Sequence, residues 1–323
     1  MRRRRFIQSA LTAGMAATMP ALRAQAKFPT RAITFVVPFA AGGGGDVVAR
    51  ILAGGLTERI GTSVIVENRT GAGGNIGAAF VMKAPADGYT LLNMSSTYAI
   101  QAAVSTLPFD PIQDMQPIMM VSRDPAVLVV PASSPLRNAK ELVAAARRAP
   151  AVLTYGSAGV GSIAHLGMED LAFLLGIKLV HVPYRGSSQA FNDLLGRSVD
   201  MILTSTTFVA PYLKSGRVIA VGIAGGQRSA ALPGAPTFAE QGFPGYDVVD
   251  WKAIAGPKGI APEVVTTLNT ALNETLRLRH VADKFEADGA TVVGGAPEVL
   301  MQTVQADITR WKTVVRKTNV RIE

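Results

Sequence analysis

The chain of 323 residues has no cysteine. That excludes a disulfide framework, a thiolate metal site and a lipid-bearing cysteine behind an export signal. Histidine is nearly as scarce. His165, His181 and His280 are the only three, no HExxH or similar ligand spacing occurs, and neither a metal nor a cofactor is expected. Aromatic residues make up 6% of the chain and no basic run follows the first residues. The phosphate-neutralising, base-stacking surface of a nucleic-acid binder is therefore missing, and no nucleic-acid partner is expected. Two glycine-rich stretches also fall short of nucleotide motifs. Gly42–Gly45 is not followed by Gly-Lys-Ser/Thr and lacks dinucleotide spacing, and Gly71–Ala78 fails both tests as well. "YGSAG", Tyr155–Gly159, lacks the first glycine of a nucleophile elbow. With no plausible Ser/His/Asp set around Ser157, a cleft hydrolase is disfavoured and no enzyme is expected.

The first 26 residues have a cationic start, an apolar middle from Ala10 to Leu22, and small residues Ala24 and Ala26 ahead of Lys27. The apolar part is shorter than the roughly 20 residues of a membrane span, so residues 1–26 read as a cleavable export signal. Arg4-Arg5-Phe6-Ile7 is compatible with twin-arginine export or with an ordinary basic leader. This leader holds five arginines and no acid, so its removal lowers the formal net charge from +9 to +4. The mature chain, starting at Lys27, is expected to be soluble in the periplasm.

Apolar runs then alternate with helix-period segments. Ile33–Phe39, Val64–Glu67 and Thr90–Met94 read as strands, and Asp46–Ile60 and Gly77–Lys83 as helices. That order implies a parallel sheet with crossover helices. The pattern restarts beyond Pro131 with helices Asn138–Arg148, Ser162–Leu175 and Ser187–Leu195 around short strands. Two tail helices, Pro262–Arg277 and Pro297–Lys317, have little strand between them and need an existing sheet to pack on. The expectation is an α/β protein of two lobes, 27–130 with 250–323 and 131–249. The chain would cross near Val129–Pro131 and near Val249–Ala255, leaving a hinged cleft between the lobes.

In α/β sheets ligands sit at the carboxyl ends of strands. Four segments there are dense in Gly, Ser and Thr: Ala40–Asp46, Ser95–Tyr98, Gly156–Ser162 and Thr204–Thr207. Each reads as a loop that brings backbone N–H groups to a helix start, where unpaired amides and the helix dipole favour an anion. A carboxylate suits the Gly42–Gly45 loop, and Gly43→Val tests whether this loop binds or only turns. Asp46 is a helix N-cap or a ligand contact. Arg185, between a strand and the helix at Ser187, either clamps a carboxylate or pairs with an acid of the other lobe. Gly77 reads as an unconstrained helix position.

These residues, in this order, resemble the Bug family of periplasmic receptors associated with tripartite tricarboxylate transporters. The matching words are "FVVPFAAGGGGDVVAR", "VIVENRTGAGGNIGAA", "PADGYTLL", "YGSAGVGSIAHL", "VPYRG" and "GAPTFAEQGFPGYDVVDWKAIAGPKG". Thr70 stands where such proteins often carry proline. The resemblance implies a type II periplasmic-binding-protein fold, no catalysis, and a small carboxylate ligand: a dicarboxylate, an acidic amino acid or an aromatic acid. It also implies that Phe39, Ala40, Gly42, Gly43 and Asp46 from one lobe, with Ser157, Ala158, Gly159, Ser162 and His165 from the other, hold one carboxylate. Ser95, Ser96, Thr97, Tyr184, Arg185, Thr204, Ser205, Thr206 and Trp251 would then read the far end. The implied partners are the membrane components of such a transporter or a membrane sensor kinase, and the implied state is a monomer.

Overall fold

A computed structural model describes residues 28–320, so the export-signal reading falls outside the described residues. The first strand, β1 (Ile33–Val37), is a β-branched and aromatic run that is almost wholly buried. Pro38 and the glycines end it, and α1 (Gly44–Ile60) follows, closed by Gly61 in the left-handed region at φ 68°. Then come β2 (Val64–Asn68), α2 (Asn75–Met82), β3 (Thr90–Ser95), α3 (Ser96–Val104) and the 17-residue β4 (Met115–Pro131). The second half supplies α4 (Ala139–Arg148), β5 (Thr154–Ser157), α5 (Ile163–Leu175), β6 (Val180–Pro183), α6 (Ser187–Leu195), β7 (Met201–Ser205), α7 (Thr206–Lys214) and β8 (Val218–Ile223). The tail adds β9 (Val249–Pro257), α8 (Pro262–Leu276), α9 (Arg279–Ala287), the short β10 (Thr291–Val292) and α10 (Pro297–Thr318).

β1 runs parallel to β2 and β3, and β9 lies antiparallel between β3 and β4. β5 runs parallel to β6 and β7, while β7 and β8 pair antiparallel with β4. β4 thus belongs to both sheets, pairing with β9 up to Pro125 and with β7 and β8 from Ala126. Pro125, which has no N–H to donate, stands at the changeover. The expected position was four residues later. The return crossing lies between Val248, packed in the second sheet's core, and Val249, already paired with Pro125.

Each sheet is covered on both faces by an apolar cluster, as a mainly parallel sheet requires. α8 packs on the first sheet, as its sequence implied. α10 serves both: Leu300 and Val304 sit in the first sheet's core, Trp311 and Val314 in the second's. A helix of 22 residues is about 33 Å long, enough to bridge the two.

Two expected loops are absent. Ser95 and Ser205 end strands and cap the following helices directly, so Ser95–Tyr98 and Thr204–Thr207 are strand-to-helix junctions. Hydroxyl-rich stretches read as loops in sequence because the same side chains favour turns and caps. Gly77 is also not unconstrained: a Cβ there would lie 2.9 Å from the Pro38 Cα and 2.8 Å from the Arg69 carbonyl oxygen. Alanine at that position overpacks the α2–β1 contact instead of adding helix propensity.

Candidate functional site

Five helices begin around one cavity between the sheets. Its wall includes Gly43, Gly44 and Gly45 of α1, Ser95 and Thr97 of α3, Ser162, Ile163 and Ala164 of α5, Ser187 of α6, and Thr204 and Ser205 at α7. The first N–H groups of a helix have no intrahelical acceptor, and the summed peptide dipoles place partial positive charge there. Gly43, Ser95, Gly186 and Ser205 cap their helices without a side-chain hydrogen bond. On α5, by contrast, Ser162 Oγ accepts from the His165 N–H at 3.3 Å, and the Ile163 N–H reaches across to Thr97 Oγ1 at 3.2 Å. The cavity encloses about 50 Å³, and Phe39 and Ala158 separate it from an outer hollow.

Among the described residues, β9 supplies the only charged side chains on the wall, Asp250 and Lys252. Lys252 is 1% exposed and forms an ion pair with Asp250, whose other oxygen accepts from Ser96 Oγ at 2.8 Å. Behind them on β4, Asp124 accepts from Thr207 Oγ1 at 2.6 Å. Burial pushes the Asp124 carboxyl up to about 6, with the neighbouring Lys252 charge holding it back. Around a paired Lys–Asp, the unpaired electrostatics of the cavity are the positive helix ends. The arrangement can hold a small anion by backbone amides and hydroxyls.

The structure brings together Phe39, Gly43, Ser95, Thr97, Ala158, Ser162, Thr204 and Ser205 on this wall. Other expected residues lie elsewhere. Asp46 is the third residue of α1, not its cap, and its carboxylate is occupied by Arg50 (Nε 2.8 Å, Nη2 3.0 Å), Asn68 Nδ2 (3.0 Å) and the Gly42 N–H (2.9 Å). Burial raises its pKa, but these bonds together outweigh burial and the net shift is downward. Its task is to hold the glycine loop, Gly42 included, in shape. Ala40 packs against Gly186 of the opposite sheet's helix, and Ser188 Oγ donates to the Ala41 carbonyl at 2.9 Å. Gly159, Tyr184 and Arg185 border the outer hollow. Thr206 donates to the Gly289 carbonyl at 3.2 Å. Trp251 faces the far side of β9 and donates Nε1–H to Asp307 at 2.6 Å. Asn93, Asp250 and Lys252 were missed. The available signal was strand alternation: if Trp251 faces the core, residues 250 and 252 share the other face.

Ser157 Oγ lies 2.6 Å from His181 Nε2, a spacing that invites a nucleophile–base reading. The pair is structural. Ser157 is buried off the cavity and also bonds Gly159, while the His181 ring is stacked between Tyr155 and His165, the latter at 3.9 Å. His165 Nδ1 accepts from the Gly161 N–H at 3.1 Å, which requires the neutral ring. Burial, then His181, lowers the His165 pKa to about 3, and burial lowers that of His181 to about 4. Both folded values lie below the unfolded one. The stability from these rings is complete above about pH 6.5 and is lost as pH falls through 5 towards 4. Thermal denaturation at pH 7 and pH 5 checks this: the parent should lose several degrees more than His181→Gln over that interval, and equal losses would contradict it.

The chain matches the tripartite tricarboxylate transporter family receptor over residues 48–320. It is 36% identical to Protein BugT of Bordetella pertussis, covering 97% of this chain and 95% of that one. Among solved structures, the periplasmic binding protein BugD superposes with TM-score 0.88 at 33% identity, over 91% of this chain and 99% of BugD. Rhodopseudomonas palustris MatC, solved with bound malate, gives 0.85 at 32%, over 89% and 100%. R. palustris Rpa4515, solved with adipate, gives 0.87 at 34%, over 90% and 98%. Two sheets joined by two crossings around a cleft of helix starts are thus a periplasmic-binding-protein type II fold, and the protein is a substrate-binding protein, not an enzyme. The chain belongs to the tripartite tricarboxylate transporter receptor family, among the Bug proteins. Among the described residues no helix is long and apolar enough to cross a membrane.

Proposed function

We propose that this protein captures a small carboxylate between its lobes in the periplasm and presents it to the membrane components of a tripartite tricarboxylate transporter. The observation that carries this reading is the convergence of five helix starts on one small cavity beside a buried lysine. Hydrogen bonds to a charged group contribute about 1.5–3 kcal/mol each. Three or four of them therefore suffice for micromolar binding after the entropy of association is subtracted. The malate- and adipate-bound neighbours support the same ligand chemistry.

Closure is read from bonds that already bridge the sheets: Ser188 to Ala41, Gln101 Nε2 to the Val160 carbonyl at 3.0 Å, and the Ile163 N–H to Thr97 Oγ1. We place the hinge at Pro125–Ala126 and Val248–Val249, with residues on either side moving as lobes. The exported, mature form begins at Lys27. Intact mass of protein recovered from the periplasm checks this, and a start well away from Lys27 would contradict it. The ligand reading is tested by thermal shift with short carboxylic acids and their primary amides. At about 100 times the dissociation constant an acid should add about 2.7 kcal/mol, and the amide should add none. Equal shifts would remove the anion site.

A further inference from the structure

One polar group in the cavity has the opposite character to the helix starts. Asn93 of β3 is 2% exposed and is one of the residues around the cavity. Its Nδ2–H donates to the Gly45 carbonyl oxygen at 3.0 Å. Its Oδ1 is buried and has no hydrogen-bond partner among the described residues. The orientation of the amide is set by Gly45, because turning it over would place oxygen against a carbonyl oxygen. Asn93 therefore offers an acceptor beside the first turn of α1, where the backbone N–H groups of the helix start offer donors. Two further buried oxygens, Ser122 Oγ and Asp124 Oδ1, also have no partner among the described residues, but they sit on β4 and do not line the cavity.

We propose that Asn93 is a specificity-determining residue that accepts a hydrogen bond from a donor next to the ligand's carboxylate, so that the cavity prefers short hydroxy carboxylates. This rests on the carboxylate reading above. The donor is a hydroxyl and not an ammonium. Ser95, on the same face of β3 as Asn93, is register-paired with Lys252, and a second cation there would be repelled. Asp250, the one carboxylate on the wall, already accepts from Lys252 and Ser96. The ligand is small because the cavity is, at about 50 Å³, and Phe39 and Ala158 stand between it and the outer hollow. A site that holds a hydroxyl through a buried acceptor rejects the analogue lacking it, since the acceptor then stays unpaired.

The experiment is calorimetric titration of the mature protein with paired acids: glycolate and acetate, L-lactate and propanoate, L-malate and succinate. The hydroxy member of the binding pair should bind about tenfold tighter or better. In Asn93→Ala that ratio should fall to about one, while the unsubstituted acid keeps its affinity within a few-fold. Equal affinities for the pair in the parent overturn the inference and leave the carboxylate reading standing. An unchanged ratio in Asn93→Ala overturns the assignment to Asn93. Failure of every acid to bind overturns the reading of the site as one for short carboxylates, and this inference with it. Should Asn93→Ala not fold, the near-isosteric Asn93→Leu, which also lacks the acceptor, is titrated in its place with the same two outcomes.

Discussion

Gly44→Val is expected to weaken carboxylate binding by about 100-fold or more while leaving the melting temperature of the unliganded protein within a few degrees. A Cβ at Gly44 would lie 2.7 Å from Ser205 Oγ, which belongs to the opposite sheet, and 3.5 Å from the Phe208 Cβ. Valine adds two further methyl groups, so the start of α1 and the start of α7 cannot both keep their places around the cavity. Such small-to-large changes cost about 1–3 kcal/mol in a packed site, and loss of the amide contacts adds to that. The backbone at Gly44 is helical and free of strain, and valine in place of glycine slightly favours the helix. The cost therefore falls on closure and not on folding. The neighbouring Gly43 has φ −81°, extended backbone that any residue adopts, and a Cβ there meets nothing closer than 3.5 Å. Loss of binding in Gly43→Val would then report occlusion of the cavity, because backbone strain is removed as an explanation. Titration of both variants with an acid that binds the parent, beside their melting curves, is the check. Parent-like affinity in Gly44→Val would show that the lobes need not meet there.

Lys252→Met is expected to lower both stability and affinity. The lysine is buried between Asp250, its ion-pair partner, and Asp124, whose pKa it holds down. Breaking a buried pair by removing one member costs about 3–5 kcal/mol, because the other charge stays behind uncompensated. At about 2–4 °C per kcal/mol for a chain of this order of size, the melting temperature should fall by about 10 °C. An anion approaching Asp250 would then meet repulsion, so binding should be lost at accessible concentrations. The double variant Asp250→Asn/Lys252→Met removes the stranded charge. It should recover most of the stability and little of the affinity, which separates the two roles. Full recovery of binding in the double variant would mean that the lysine serves the fold alone.

Much of the architecture is legible along the chain. Ile33–Val37 announces a buried strand by its unbroken β-branched and aromatic run. Ser162 and Asn138 mark helix starts, and each caps its helix in the structure with a side-chain bond. Gly61 and Gly176 mark helix ends in the left-handed region. These signals are local: each rests on the preference of one residue or on a periodicity of two or 3.6, which no distant contact has to supply. α9 and α7 escaped the same reading. α9 begins without a capping side chain. α7 opens on threonines and carries Pro211, so it looks like a loop until it is packed under Phe191.

The sequence by itself determined the class of fold, the family words, and the presence of glycine- and hydroxyl-rich helix starts suited to an anion. Only the tertiary structure determined which of those groups share a wall. Asn93, Asp250 and Lys252 are separated in sequence by about 160 residues, and they meet because β3 and β9 pair antiparallel, setting Ser95 opposite Lys252. Asp46, beside the most conspicuous glycine run, is withdrawn from the cavity because Arg50 and Asn68 close over it from a helical turn away and from a neighbouring strand. A residue's type states what it can bond. Whether it faces solvent, core or cleft depends on sheet register and on the partners that reach it first, and those come from segments the local sequence does not contain.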